Sequence, residues 1–424
     1  MSDVPSVATP EEAPPPEGQP APSATSLIRV FRHRNYRLFF AGQLVSLMGT
    51  WMQSVAQGWL VYALTHSPLL LGLTSFAGQV PVFFTTAFGG MVSDRVDRRR
   101  MLVVTQSLSM IQAAILAALT LTGVVKVWEI VALALCMGLV NAFDIPTRQA
   151  FTVEMVGRED LRNAIALNSM MFNIARIVGP SAAGLLVAIA GEGVCFALNS
   201  VSYAAVLTGL ILMHVTPRVR PEPEHPLREL KTGFLYVVRT PNVRSTLLLV
   251  AACATFGAAY LALMPAFARD VLHQGAEGLG LLMASVGAGA LVGAYTLARI
   301  HDRHLWLTPI LSAGTFGLSL VGFSQSHWLP LSMLLLMPTA FSLMLLGGST
   351  NTIVQTVSGD HMRGRVVSFY TMSFLGMMPW GALLMGWLAS RIGVGDAVTI
   401  GGIVCIAAAG LTFFNRARAE LRDI

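Results

Sequence analysis

The chain has 424 residues, of which 54% are hydrophobic and only 12% charged, with a net charge of +6. Soluble globular domains carry roughly 25% charged residues, so this composition excludes an ordinary soluble enzyme and indicates a polytopic membrane protein. The basic residues are scattered in short loops between apolar runs, which excludes the clustered patch of a nucleic-acid binder.

Residues 1–26 are rich in Pro, Ala, Ser and Glu. They lack the basic start, apolar middle and cleavage site of a signal peptide, and are expected to form a disordered cytoplasmic tail. A membrane-crossing helix needs about 20 mainly apolar residues. Charged and Pro/Gly-marked breaks then predict twelve spans, near 36–63, 69–93, 101–123, 128–147, 163–190, 194–214, 243–267, 276–299, 305–324, 328–354, 365–390 and 396–415. The expected fold is all-α, with one six-helix bundle in 27–214, a cytoplasmic linker at 215–241 and a second bundle in 242–424. In the linker, Leu227, Leu230, Phe234 and Val238 line one helical face, which fits a helix lying on the membrane surface or an ordinary cytoplasmic helix.

Of the 28 Lys and Arg, only Lys126, Arg269 and Arg391 fall in one set of alternate loops. Arg176 lies inside a span, and all the others crowd the opposite set. By the positive-inside rule both termini and the linker are cytoplasmic.

Along the chain, span 1 carries Gln43, Ser46, Thr50, Gln53 and Gln57 at helical three-and-four spacing, and span 2 adds Gln79. Such a stripe is turned away from lipid, either as polar glue between helices or as the wall of a wet substrate cavity. Span 4 holds Asp144, expected about one turn inside its inner end, with Arg148 as an i+4 partner. These two are the coupling candidates. Span 5 holds Arg176, roughly 20 Å deep, on one face with Ser169, Asn173 and Pro180. A buried cation is costly and usually functional. No midplane carboxylate is evident to neutralise it. Carbonyls, glutamines, water or an anionic substrate must do so, the other reading being a structural Arg tied to backbone and Gln groups. The matching face of span 7 reads Val250, Cys253, Gly257, Tyr260 and Met264, and span 11 adds Tyr370, Met372, Met377, Met378 and Trp380. One wall would be polar and cationic, the other aromatic and Met-rich, which suits bulky ligands. The candidate binding set is therefore Arg176, Asn173, Ser169, Gln43, Ser46, Thr50, Gln53, Gln57, Gln79 and Tyr260.

The chain also repeats itself. Arg32, Asn35 and Arg37 match Arg239, Asn242 and Arg244, and Arg162 matches Arg363 at nearly the same offset. Parallel six-span repeats are the plan of major facilitator transporters. The loop "GGMVSDRVDRRRM" resembles that superfamily's signature between spans 2 and 3 on Gly90, Asp94, Arg95, Arg98 and Arg99, with Asp97 in place of a glycine. Asp tolerates a left-handed backbone better than most residues, so the turn is expected to survive. The resemblance implies a cytoplasmic latch between Asp94 and the start of span 11 near Gly364 and Arg365; fixing topology alone is the plainer reading. Ala298 stands over Asp94 in the second half, so the latch would be single.

"ARIVGPSAAG" resembles a softened form of the Gly-Pro motif of exporting members on Gly179, Pro180 and Gly184. Together with "FRHRNYRLFFAGQLVSLMGTWM" and "DIPTRQAFTVEMVGREDLRNAIALNS" it is similar to the bacterial subgroup related to the enterobactin exporter. That resemblance implies a monomeric secondary transporter of the bacterial inner membrane. It would export a siderophore-like anionic or aromatic compound, or a drug, by proton antiport. A lipid or lysophospholipid flippase and a non-transporting sensor of the same fold are the alternatives. No P-loop, HExxH, GxSxG or metal-ligand spacing occurs, so no enzymatic activity, cofactor, metal or nucleic-acid partner is expected.

Overall fold

Among the described residues of a computed structural model, twelve long helical stretches follow one another and no strand occurs. The described residues are 28–157, 159–213, 235–300, 305–358 and 360–420, without the side chains of 85–95, 360, 361, 363 and 417–420. The expected tail at 1–26 and most of the expected linker therefore lie outside the description.

The helices are α1 Arg34–Thr65, α2 Pro68–Arg95, α3 Arg98–Leu121, α4 Val127–Val156, α5 Leu161–Ala190 and α6 Glu192–Leu212. The second half holds α7 Pro241–Val271, α8 Ala276–Leu297, α9 Thr308–Ser324, α10 Leu329–Val357, α11 Gly364–Ile392 and α12 Val394–Glu420. Nine of them are long and apolar enough to cross a membrane. Helix α9 is shorter, with 17 residues, and α1, although 32 residues long, is diluted by its polar stripe.

Helix ends follow local chemistry. Asp97 caps α3 from extended backbone, its Oδ1 accepting from the Arg100 N–H at 2.9 Å. The left-handed turn expected there does not occur: a carboxylate at an N-cap satisfies an orphan amide directly. Gly191 between α5 and α6, and Gly393 between α11 and α12, have φ of +82° and +95°. Only glycine enters that region without strain, and the two turns sit at matching places in the two repeats.

In the first half α1 packs on α5 and α6, α2 on α4, and α3 on α4 and α6. In the second half α8 packs on α10, and α9 on α10 and α12. The halves are joined most extensively by two pairs, α2 with α11 and α5 with α8, and more lightly by α7 with α1 and α2. The repeat exchanges α2 with α8 and α5 with α11, so these two seams are related to each other. Both are closed by small residues. A Cβ on Gly184 would lie 2.6 Å from Gly280 Cα, and one on Gly386 would lie 2.7 Å from the Pro68 carbonyl oxygen. Lipid offers helices no hydrophobic reason to associate, so such backbone approach supplies the van der Waals contact that holds them. Phe76 and Trp380 meet edge-on across the α2–α11 seam, with ring centroids 5.0 Å apart. Tyr62 at the end of α1 donates to Asp270 at the end of α7.

Two of the long helices are irregular. α7 contains π-helical turns at Cys253–Gly257 and Phe267–Val271, on either side of Tyr260. α11 is interrupted between Phe374 and Met378, where Gly376 and Pro379 follow one another closely. Such breaks survive in a membrane only where protein or water takes up the freed backbone groups, and π-turns concentrate at functional sites.

Candidate functional site

Charge is the scarcest commodity inside this protein, and two mid-helix residues carry it. Arg176 is halfway along the 30-residue α5. Its Nη2 donates to Asn173 Oδ1 at 3.2 Å, and Asn173 Nδ2 donates to the Ser169 carbonyl at 2.9 Å. Ser169, Asn173 and Arg176 thus share one face, as their spacing predicts. The Nε of Arg176 is buried without a hydrogen-bond partner. Its electrostatic neighbour is Tyr260 of α7, across the seam between the halves. The Tyr260 ring is 2% exposed, packs near Phe316 and Phe323, and its hydroxyl is also buried without a partner. A buried polar group left unpaired costs about 1–3 kcal/mol, and more when charged. Arg176 and Tyr260 thus each present unused hydrogen-bonding capacity, one from either half.

Asp144 is the second. The sequence reading puts it near the inner end of span 4, but α4 continues to Val156. Asp144 therefore lies about 18 Å from that end, deep in the helix, and is 3% exposed. Helix α4 outruns its apolar stretch because Arg148, Glu154 and the polar residues around them still face protein. Asp144 does not face Arg176. Its Oδ1 accepts from Thr105 Oγ1 at 2.8 Å and Gln106 Nε2 at 2.7 Å, and its Oδ2 is 3.5 Å from Arg148 Nη2.

The stripe on α1 divides between two neighbours, and neither is Arg176. Gln43, Ser46 and Thr50 line a small chamber with Asp144, Arg148 and Tyr203. Gln53 is tied inside the first half: Asn199 Nδ2 donates to its Oε1 at 2.7 Å, and its Nε2 donates to Gln112 Oε1 at 3.1 Å. This is the polar-glue alternative, since every link satisfies another buried amide. Gln57 is half-buried on α1. Gln79 is exposed and donates to Ser75 Oγ of its own helix at 2.9 Å. The opposite face of α1 packs on α5, where a Cβ on Gly179 would meet Met48 O and Trp51 Cβ at 2.7 Å. Gly179 thus serves the α1–α5 contact, Gly184 the α5–α8 seam, and Pro180 the α5 face beside Gly280.

The expected latch is only partly described, because the side chains of Gly90, Asp94 and Arg95 lie outside the described residues. Arg98 and Arg99 are held within the first half. Arg98 Nη1 meets Glu154 Oε1 at 2.8 Å, and Arg99 Nε and Nη2 donate to the carbonyls of Leu210 and Ile211 at 2.6 and 2.8 Å. The latter bonds satisfy carbonyls left over at the end of α6. In the other half Gly364 is exposed, and Arg365 reaches Met362 Sδ at 3.7 Å.

Sequence reasoning missed the π-turns of α7 and the Asn199–Gln53–Gln112 chain. The first leaves no signal in composition. The second could have been sought among polar residues on neighbouring spans. Among the described residues no cluster of metal-ligating side chains occurs.

Residues 25–422 match the family model of the transmembrane secretion effectors. The staphyloferrin A transporter of Staphylococcus aureus is 25% identical over 393 residues, which cover 91% of this chain and 97% of that protein. The enterobactin exporter EntS of Shigella boydii is 27% identical over 374 residues, covering 85% of this chain and 86% of that one. Among solved structures, the inward-facing, occupied form of a bacterial homologue of the lysosomal transporter Spinster superposes with a TM-score of 0.70. It shares 14% sequence identity and covers 90% of this chain and 96% of its own. The nucleoside transporter NupG superposes with a TM-score of 0.65 at 12% identity, covering 90% and 97%. At such identities the structural likeness shows the major facilitator fold alone. The family match over nearly the whole chain does more: this protein belongs to the transmembrane secretion effector family, and is a multi-pass small-molecule transporter of the major facilitator fold rather than an enzyme.

Proposed function

We propose that this transporter exports an anionic, acceptor-rich small molecule of the siderophore type across the bacterial inner membrane, by alternating access with proton antiport. Both termini are cytoplasmic in this reading, since the arginines gather on that side, and the protein works as a monomer. The observation that carries the proposal is a pair of residues from opposite halves, Arg176 and Tyr260, that interact electrostatically and each hold a buried polar atom without a partner. A guanidinium keeps its charge and offers donors only. An anionic ligand supplies the acceptors and the countercharge that the protein withholds from it. Tyr260 adds an aromatic face and a hydroxyl from the opposite half, so a ligand touching both residues is sensitive to how the halves are arranged. The named substrates of the two relatives support the siderophore class.

The test is efflux from proteoliposomes under an imposed pH gradient, comparing a catecholate siderophore with a lipophilic cation. Arg176→Gln is expected to cut catecholate affinity about ten- to a hundredfold, from the loss of charge-assisted hydrogen bonds of about 1.5–3 kcal/mol. Catecholate efflux that is equal in wild type and variant would overturn the assignment.

A further inference from the structure

The chamber around Asp144 is separate from the Arg176–Tyr260 pair and has a chemical imbalance of its own. It is lined by α1, α3, α4 and α6. Besides the carboxylate it contains the side-chain oxygens of Gln43 and Gln106, which are 2% and 4% exposed as residues. Both Oε1 atoms are buried without a hydrogen-bond partner. Asp144 already accepts from Thr105 and Gln106 and faces Arg148. Two acceptors beside the carboxylate thus go without a donor, a place that one added hydrogen would fill.

We propose that this chamber is the coupling-proton site, with Asp144 as the group that carries the proton. The proton adds to Oδ2, which loosens the contact with Arg148 and turns the carboxylate into a neutral acid with one O–H. That O–H is a donor, and it can go to an orphan glutamine oxygen that the ionised carboxylate leaves unmet. Arg148, at 24% side-chain exposure, is free to turn towards water once its partner is neutral. On release the proton leaves Oδ2 and the ion pair re-forms. A metal cation suits the chamber less well, because it would sit beside the fixed charge of Arg148, whereas a proton neutralises the carboxylate. The titratable groups facing Asp144 among the described residues are Arg148 on α4 itself and Tyr203 on α6. From α1 and α3 it faces only amides and hydroxyls.

Helix α1 is shared by the two sites. Thr50 is on the chamber side, where its hydroxyl meets Tyr203 at 3.2 Å. Trp51, one residue on, packs against Phe172 and Gly179 of α5 near Arg176. A change in the chamber wall therefore has a short physical route to the substrate-facing helix.

The proposal rests on the transport reading, but its test needs no substrate. The full chain in lipid nanodiscs is titrated with acid, and infrared difference spectra follow the carbonyl band of a protonated buried carboxyl. One such band is expected in the wild type and its loss in Asp144→Asn. In Thr105→Val, which removes one donor to the ionised form, the band is expected to appear about one pH unit higher. A wild-type band that persists in Asp144→Asn, or an unshifted Thr105→Val, would overturn the assignment. Loss of the band when sodium chloride replaces choline chloride at fixed pH would mark a metal-cation site and overturn it equally. Failure of catecholate efflux with this titration intact would sink the substrate reading alone.

Discussion

Asp144 and Arg176 both sit in the middle of a 30-residue apolar helix in the same half of the protein, yet they are held in opposite ways. Asp144 is buried within one bundle, with two neutral donors and a guanidinium at hand. Arg176 is at the seam between bundles, with a single side-chain amide oxygen at 3.2 Å and a buried Nε left over. The contrast follows from geometry. A carboxylate accepts from any hydroxyl or amide that packs around it, and a four-helix interior supplies several. A guanidinium needs acceptors, and in the transport cycle proposed above the two walls of the seam separate and cannot hold them permanently. The inner site thus pairs its charge within one bundle while two glutamine oxygens beside it stay unpaired, and the seam site, in the transport reading proposed above, is completed by a ligand.

Three substitutions break or sharpen this contrast. The largest effect is expected for Arg148→Ala, which strands Asp144 without its countercharge. Removing one partner of a buried pair costs about 3 kcal/mol or more, so the variant should unfold at clearly lower temperature in detergent. Adding Asp144→Asn should restore most of the loss. A single variant as stable as the wild type would mean that the hydroxyl and amide donors suffice for the carboxylate. Next is Asn199→Leu, which cuts the buried amide chain at Gln53. It is expected to cost about 1–3 kcal/mol from the orphaned acceptor while leaving the KM for catecholate efflux unchanged. A large KM effect would show that Gln53 serves the substrate after all. The smallest effect is expected for Tyr260→Phe. The hydroxyl has no partner to lose, so stability should hold or rise slightly. Catecholate binding should weaken about two- to tenfold, the value of a neutral hydrogen bond of about 0.5–1.5 kcal/mol. Unchanged binding in a titration would remove Tyr260 from the site.

The stripe on α1 illustrates how far a sequence pattern reaches. Spacing identifies Gln43, Ser46, Thr50 and Gln53 as facing away from lipid, and all of them do face protein. It does not say which protein surface. The expectation of a cavity between halves misplaces them, because both an inner bundle face and a seam are shielded from lipid and look alike along one helix. Asp144 was misjudged for a related reason. An apolar run ends where side chains become polar, but a helix ends where its backbone bonds stop, and α4 continues to Val156.

The sequence by itself determined the membrane class, the order of the helices and the repeat, because each follows from local hydropathy, loop charge and turn chemistry. It also determined that Ser169, Asn173 and Arg176 share a face, since helical periodicity alone fixes that. Only the tertiary structure decided that Arg176 interacts electrostatically with Tyr260 of the other half, and that Asp144 shares a chamber with Gln43 and Gln106. It alone placed two π-turns around Tyr260. Those outcomes depend on how helices distant in the chain rotate and close on one another. That rotation is set by the small-residue contacts at Gly179, Gly184 and Gly280 acting together, and no single segment encodes it.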